Sequence, residues 1–241
     1  MTDEPYRIIG IPEAGGVLIV ADHASNRVPP AIDLGIDPAL LELHIASDIG
    51  VMGVAELMAQ RPGVAAYLGN VSRLVCDFNR EDHAPATIPI ASDGHAVPGN
   101  RLSHAEHEAR LAQFYHPYHT ALAALLDETA PALILSLHSF TAFLASKPEE
   151  LRPWQVGVLY NQDDRAARIA IPLLEAEGLV VGDQQPYSGK LLNATMNRHA
   201  ESPGRLYLGV EIRQDGIADA AGQAVWAERL GRLCGVVVGT G

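Results

Sequence analysis

Two histidines in this chain stand where imidazoles could do chemistry together. His23 follows the apolar run Val17-Leu18-Ile19-Val20-Ala21 with only Asp22 between, and His138 closes the run Ala132-Leu133-Ile134-Leu135-Ser136-Leu137. Neutral imidazole is the commonest protein ligand for metals and carries a proton near neutral pH. A catalytic zinc takes three protein ligands, commonly two histidines and a carboxylate, and keeps one position open. Either histidine alone reads most simply as a loop residue; a pair, each ending a buried run, reads as a metal-binding pair. Asp48, Asp22 and Asn26 compete for the third position. Asn26 is the poorest of these, because a neutral amide oxygen is a weak zinc donor.

Further candidates surround them. Glu211 lies between Val210 and Ile212. Burial there would raise its pKa and suit it to general-base work, unless it is consumed in an ion pair with Arg213. Arg73, Arg80 and Arg213 stand near the ends of apolar segments. Their guanidiniums could grip a substrate carboxylate in a bidentate fork or neutralise the site's own acids. His104, His107, His116 and His119 recur at three-residue steps. They suggest a metal array, but polar positions on a long surface helix explain them more simply.

The elements that must position these groups can be read from pattern. Runs of Val, Ile and Leu without alternation suit strands buried on both faces. Such runs are expected at 17–21, 132–137, 156–160 and 206–212, with shorter ones at 64–68 and 179–181. Val71–Phe78 also reads as a strand. Asp37-Pro38 supplies an N-cap and a first-turn proline, so a helix is expected to follow. Its apolar stripe, Leu40, Leu41, Ile45, Ile49 and Met52, carries His44 and Asp48 too. A buried Asp48 needs a partner, whereas one beside a break at Gly50 or Gly53 would face water. Helices are also expected at 101–129, interrupted near Pro117, at 163–177 and at 218–234, with 236–238 as tail or strand. Residues 81–100 read as a long functional loop. The alternation predicts one domain, 1–241, with an α/β three-layer αβα sandwich around a mixed, mostly parallel sheet. In such sheets ligands bind at the carboxyl ends of the strands, where both histidines fall.

Composition narrows the class. The chain has 241 residues, 48% hydrophobic and 19% charged, which favours a packed globule. Its formal charge of −12 argues against nucleic-acid or anionic-membrane partners, yet leaves room for a small anion met by local arginines. No apolar stretch is long enough to span a bilayer. Met1-Thr2-Asp3-Glu4-Pro5 does not read as a signal peptide. With only Cys76 and Cys234, a disulfide framework is not expected, and a reducing, cytoplasmic location fits.

Four segments carry a specific resemblance. Ala21-Asp22-His23-Ala24-Ser25-Asn26-Arg27-Val28-Pro29, Val71-Ser72-Arg73-Leu74-Val75-Cys76-Asp77-Phe78-Asn79-Arg80, Leu135-Ser136-Leu137-His138-Ser139-Phe140 and Val210-Glu211-Ile212-Arg213-Gln214-Asp215 stand in an order similar to the N-formylglutamate amidohydrolase family. Arg152-Pro153-Trp154 and Pro186-Tyr187-Ser188 also fit it. The resemblance implies a hydrolase-like fold related to zinc carboxypeptidases, with an eight-stranded mixed sheet and Zn2+ at the strand ends. It implies His23 and His138 as zinc ligands, Glu211 as general base, and Asn79-Arg80 as the clamp on a substrate α-carboxylate. It aligns Tyr187 with a mobile substrate-binding tyrosine. Carboxypeptidases use His-x-x-Glu, whereas here the fourth place is Asn26, so Asp48 is expected to supply the missing carboxylate. Arg73 is the expected oxyanion donor, and Arg213 the partner of a side-chain carboxylate. The expected reaction is hydrolysis of N-formyl-L-glutamate, or a related small anionic N-acyl amino acid, to formate and glutamate. Rival readings are a carboxypeptidase-like or other N-acyl amino acid hydrolase, and a non-catalytic binding protein on the same fold.

Overall fold

The β-branched run Val17–Ala21 forms strand β2, and its four last residues are buried because parallel neighbours flank it on both sides. In the computed structural model, which describes residues 4–240, the strands are β1 Tyr6–Ile9, β2, β3 Val64–Gly69, the small hairpin β4 Ala91–Ser92 and β5 His95–Ala96, β6 Leu133–Phe140, β7 Val156–Leu159, β8 Val181–Asp183 and β9 Tyr207–Arg213. Seven of them make one sheet in the order β1-β3-β2-β6-β9-β7-β8. Pairing is parallel except for β1 with β3 and β7 with β9. The implied eight strands are therefore seven, and the mixed, mostly parallel α/β architecture is as expected.

The helices are α1 Val51–Met58, α2 His104–Arg110, α3 His116–Thr129, α4 Arg165–Ala176, the single turn α5 Ala194–Met196 and α6 Ala220–Gly239. The connection β2–α1–β3 steps one way across the sheet and β3–α3–β6 steps the other. Right-handed crossovers then put α1 and α3 on opposite faces, and the reversal opens a crevice between β2 and β6. Helices α1, α4 and α6 pack together on one face. On the other, Tyr118 of α3 stands edge-on to Tyr67 of β3 and stacks on Phe78 at 4.0 Å.

Several expected elements differ. Val71–Phe78 is a chain of turns, although nearly every residue in it is buried. Ser72 accepts from Leu74 N through its hydroxyl, and the backbone N–H groups of Ser72, Arg73 and Asp77 go to Arg27, Ala46 and Thr87. A serine turn competes with a strand ladder in this way, so the apolar residues feed the core from an irregular segment. Asp37 does cap, its carboxylate accepting a hydrogen bond from Ala39 N–H, but only a five-residue 3-10 turn follows. The helix proper begins at Val51. A π-helical turn at Leu111–Tyr115 joins α2 to α3 without a break, and Pro117 follows directly behind it, inside the continuous helical run. Residues 236–238 belong to α6.

The break that sets Asp48 in place is Gly50. Its φ is +81°, and a Cβ there would lie 2.1 Å from the carbonyl oxygen of Ile217. Glycine is the residue that meets both demands. Gly50→Ala is expected to destabilise the fold by about 1–3 kcal/mol, read as a lower denaturation midpoint. An unchanged midpoint would mean that the Ile217 segment yields freely.

Candidate active site and metal centre

Two residues past the end of β2, His23 turns into the crevice; His138 reaches it from β6, and Glu211 from β9. His138 and Glu211 are register partners in adjacent parallel strands, so their side chains leave the same face side by side. On the far side of Glu211 the partner is Gly157, where a Cβ would strike the carbonyl oxygen of Gln185 at 2.2 Å. Asp48 arrives from the segment before Gly50, held by its own N–H on the His23 carbonyl at 2.9 Å.

These groups converge. Asp48 Oδ2 lies 2.9 Å from His138 Nδ1 and 3.4 Å from His23 Nδ1, and takes Ser139 N–H at 3.3 Å. The opposite nitrogens meet other carboxylates. His23 Nε2 is 2.7 Å from Asp77 Oδ1, and His138 Nε2 is 3.5 Å from Asp22 Oδ2. Asp22 is anchored by Tyr118 OH at 2.8 Å and Thr195 Oγ1 at 3.0 Å. All of these histidines and aspartates are buried.

The electrostatics follow from that crowding of acids. Burial by itself lowers the pKa of an imidazole, yet both histidines end above their ordinary value. Asp22 and Asp48 outweigh burial at His138; Asp77 and Asp48 outweigh burial and the Arg73 charge at His23. Asp48 is held far below the usual carboxylate range, because the two rings overcome its burial. Glu211 goes the other way: burial, helped by the Asp48 charge, pushes it up to about 7. Its Oε2 is shielded and accepts no hydrogen bond, and the alternative ion pair with Arg213 does not form, because Arg213 pairs with Asp215.

His23, His138 and Asp48 each offer a ligand atom, all within 4.8 Å of one another. The set fits a divalent cation on two grounds. Each ring has a carboxylate behind its Nε2 to orient it, leaving Nδ1 on the Asp48 side, the arrangement that supports metal-bound histidine. In addition, the acids Asp22, Asp48, Asp77 and Glu211 exceed the neighbouring arginines Arg73 and Arg80, and the site makes up the deficit by drawing protons onto two imidazoles. A doubly charged ion held there would replace those protons.

The remaining predicted residues divide. Arg73 pairs with Asp77 at 2.8 Å and with Asp48 at 3.4 Å, so it neutralises the site's acids while lining its cavity. Asn79 and Arg80 line the same cavity; Asn79 Oδ1 accepts from Thr195 N–H, and Arg80 Nη2 stands 3.7 Å from Asp77. Tyr187 is on the wall too, its hydroxyl taking a hydrogen bond from buried Arg152 at 2.9 Å. Arg213 has no place there. It pairs with Asp215 at 2.8 Å and lines a separate cavity near Trp226. Asn26 donates to the Leu41 carbonyl, and Asp22 supports His138 from behind instead of joining the ligand trio. The sequence reading missed Asp77 as the acid behind His23; its signal, an aspartate after buried Val75-Cys76, was hidden by reading a strand there. It also passed over His44, which shares a stripe with Asp48 and lines the cavity.

The cavity holds about 120 Å3, well below the roughly 300–1,000 Å3 typical of sites for drug-sized ligands. It is a small polar pocket at the switch point of an α/β sheet, floored by the buried His–Asp–His trio. The N-formylglutamate amidohydrolase family model matches residues 15–218, and the chain belongs to that family. It is 30% identical to a gene product of Agrobacterium tumefaciens, over 98% of this chain and 96% of that one, with a TM-score of 0.91. The N-formylglutamate amidohydrolase of Ralstonia eutropha is 20% identical over 98% and 97%, with a TM-score of 0.73. A bacteriophage poly-gamma-glutamate hydrolase shares the fold at 11% identity over 100% and 93%, with a TM-score of 0.51. No curated protein matches the chain in sequence. No helix among the described residues is long and apolar enough to cross a membrane.

Because a cation must displace protons from His23 and His138, zinc affinity is expected to fall as pH drops from about 8 to about 6. Competition with a chromophoric chelator measures this. An affinity independent of pH would remove the imidazoles from the ligand set.

Proposed function

We propose that the chain is a metal-dependent amidohydrolase that cleaves N-formyl-L-glutamate, or a closely related small N-acyl amino acid, into the free acid and the amino acid. One observation carries the reading: the buried His23–Asp48–His138 trio faces a carboxylate, Glu211, that is poised near neutrality and has a free oxygen. Two imidazoles and one carboxylate favour zinc over magnesium or calcium. A zinc ion bound there supplies a Lewis acid and lowers the pKa of water to about 7.

The chain's own residues do the rest. Glu211 takes a proton from the attacking water and delivers it to the amine nitrogen as the C–N bond breaks, so that water and amide become acid and amine. A base whose pKa lies near the working pH serves both steps. Arg73, anchored on Asp77 and Asp48, is the donor assigned to the oxygen that gains negative charge. Asn79 and Arg80, on the cavity wall, hold the α-carboxylate, and Tyr187 closes over the substrate from the opposite loop. The small cavity favours an amino-acid-sized substrate over the end of a peptide. Support for formyl and glutamyl groups in particular comes from the family.

Formate release from N-formylglutamate by the zinc-loaded protein, with N-acetylglutamate and a peptide as comparisons, tests the reading; turnover of none of them would leave only a binding role. Glu211→Gln is expected to keep zinc and lower kcat by about 10²- to 10⁴-fold. Normal turnover by that variant would take Glu211 out of the base role. Arg80→Ala is expected to raise KM chiefly for substrates with a free α-carboxylate. An equal rise for the α-esters would rule out the clamp.

A further inference from the structure

The four helical histidines do not behave as one set. His119 is buried against His199, with Nδ1 to Nε2 at 2.9 Å, whereas His104 and His107 turn toward a different partner. Helix α2 starts with a full capping box, Ser103 and Glu106, which fixes its first turn. That turn presents His104, His107 and Glu108, and His83 meets them from the loop that follows Arg80. Three ring nitrogens surround one carboxylate oxygen. From Glu108 Oε1, His83 Nδ1 lies at 3.3 Å, His107 Nδ1 at 3.7 Å and His104 Nδ1 at 3.9 Å.

Two further observations distinguish this cluster from a surface ion pair. Glu108 Oε1 is shielded from solvent and accepts no hydrogen bond, although the rest of the side chain is partly exposed. His83 is held at φ +58°, in the left-handed region that a non-glycine residue seldom adopts, with its ring at 6.4 Å from that of His107. The separations also suit a metal. Zinc bonds of about 2.0–2.1 Å in a tetrahedron place neighbouring donor atoms roughly 3.4 Å apart. The ligand atoms of His83, His107 and Glu108 all lie within 4.8 Å of one another, as do those of the trio beneath β2 and β6.

We propose that His83, His107 and Glu108, with His104 as fourth donor, form a second site for a first-row divalent cation, zinc by its donor set. Three imidazoles and one carboxylate bind such ions and discriminate against magnesium and calcium. The site is separate from the His23–Asp48–His138 trio and does not rest on the activity proposed for it. Its effect is mechanical. It ties the loop after Arg80 to α2, next to the point where the Tyr115 hydroxyl already holds the Arg80 carbonyl at 2.7 Å. Both ends of the segment that carries Asn79 and Arg80 are then braced.

Equilibrium dialysis of the full chain against zinc alone, followed by metal analysis, tests the site. The wild type is expected to bind one more equivalent than the His83→Ala/His107→Ala double variant. The same difference of one is expected in a His23→Ala background, whatever the trio retains. Glu108→Gln, which keeps the side chain's shape, is expected to weaken this equivalent at least tenfold. Equal zinc uptake by wild type and double variant overturns the proposal. So does a difference that appears with magnesium as readily as with zinc.

Discussion

A single carboxylate oxygen shared by two buried imidazoles is the constraint from which the site takes its form. Asp48 Oδ2 faces His23 Nδ1 and His138 Nδ1, and an unpaired charge at that depth would cost several kcal/mol. The surroundings answer with a layered arrangement of charge. Behind the rings stand Asp77 and Asp22; behind Asp77 stand Arg73 and Arg80; and Asp22 is held by Tyr118 and Thr195. Each layer has the sign that stabilises the one before it. Only Glu211 stands outside this compensation, and its raised pKa follows from that isolation.

The sheet makes the arrangement possible because its strand order reverses between β2 and β6. Neighbouring strands whose chains leave in opposite directions across the sheet, β2 toward β3 and β6 toward β7, leave a gap at their carboxyl ends, and polar groups can fill it without breaking the ladder. Asp48 and Asp77 reach the gap from irregular segments, with backbone groups satisfied by His23, Ala46 and Thr87 instead of by a strand. The site thus combines two kinds of support. Rigid strands set His138 and Glu211, and tightly hydrogen-bonded turns set the aspartates.

Much of this was legible in the chain itself. Non-alternating apolar runs announced β2, β6 and β9, and the residues just beyond or within them announced His23, His138 and Glu211. Asp48 was recognisable as a charge on an apolar stripe, and the break at Gly50 was visible beside it. The structure buries that aspartate instead of exposing it. What pattern could not supply was register and side-chain direction. Arg213 shares a strand with Glu211 but lies two residues on, past the cavity, where Asp215 claims it. Val71–Phe78 has a strand's composition, yet its hydrogen bonds go to three separate loops, and with that error the role of Asp77 was lost. His83 gave no signal, because its meeting with α2 depends on a left-handed backbone twist.

The pairing of His138 with Glu211 has an evolutionary corollary. Their alignment is set by one uninterrupted ladder from Ile134 opposite Tyr207 to Phe140 opposite Arg213. Deleting or inserting one amino acid in either strand upstream of the pair would rotate one of the two side chains to the opposite side of the sheet. Length variation among descendants of this chain is therefore confined to the connections outside that ladder, while substitutions within it remain open wherever bulk is preserved.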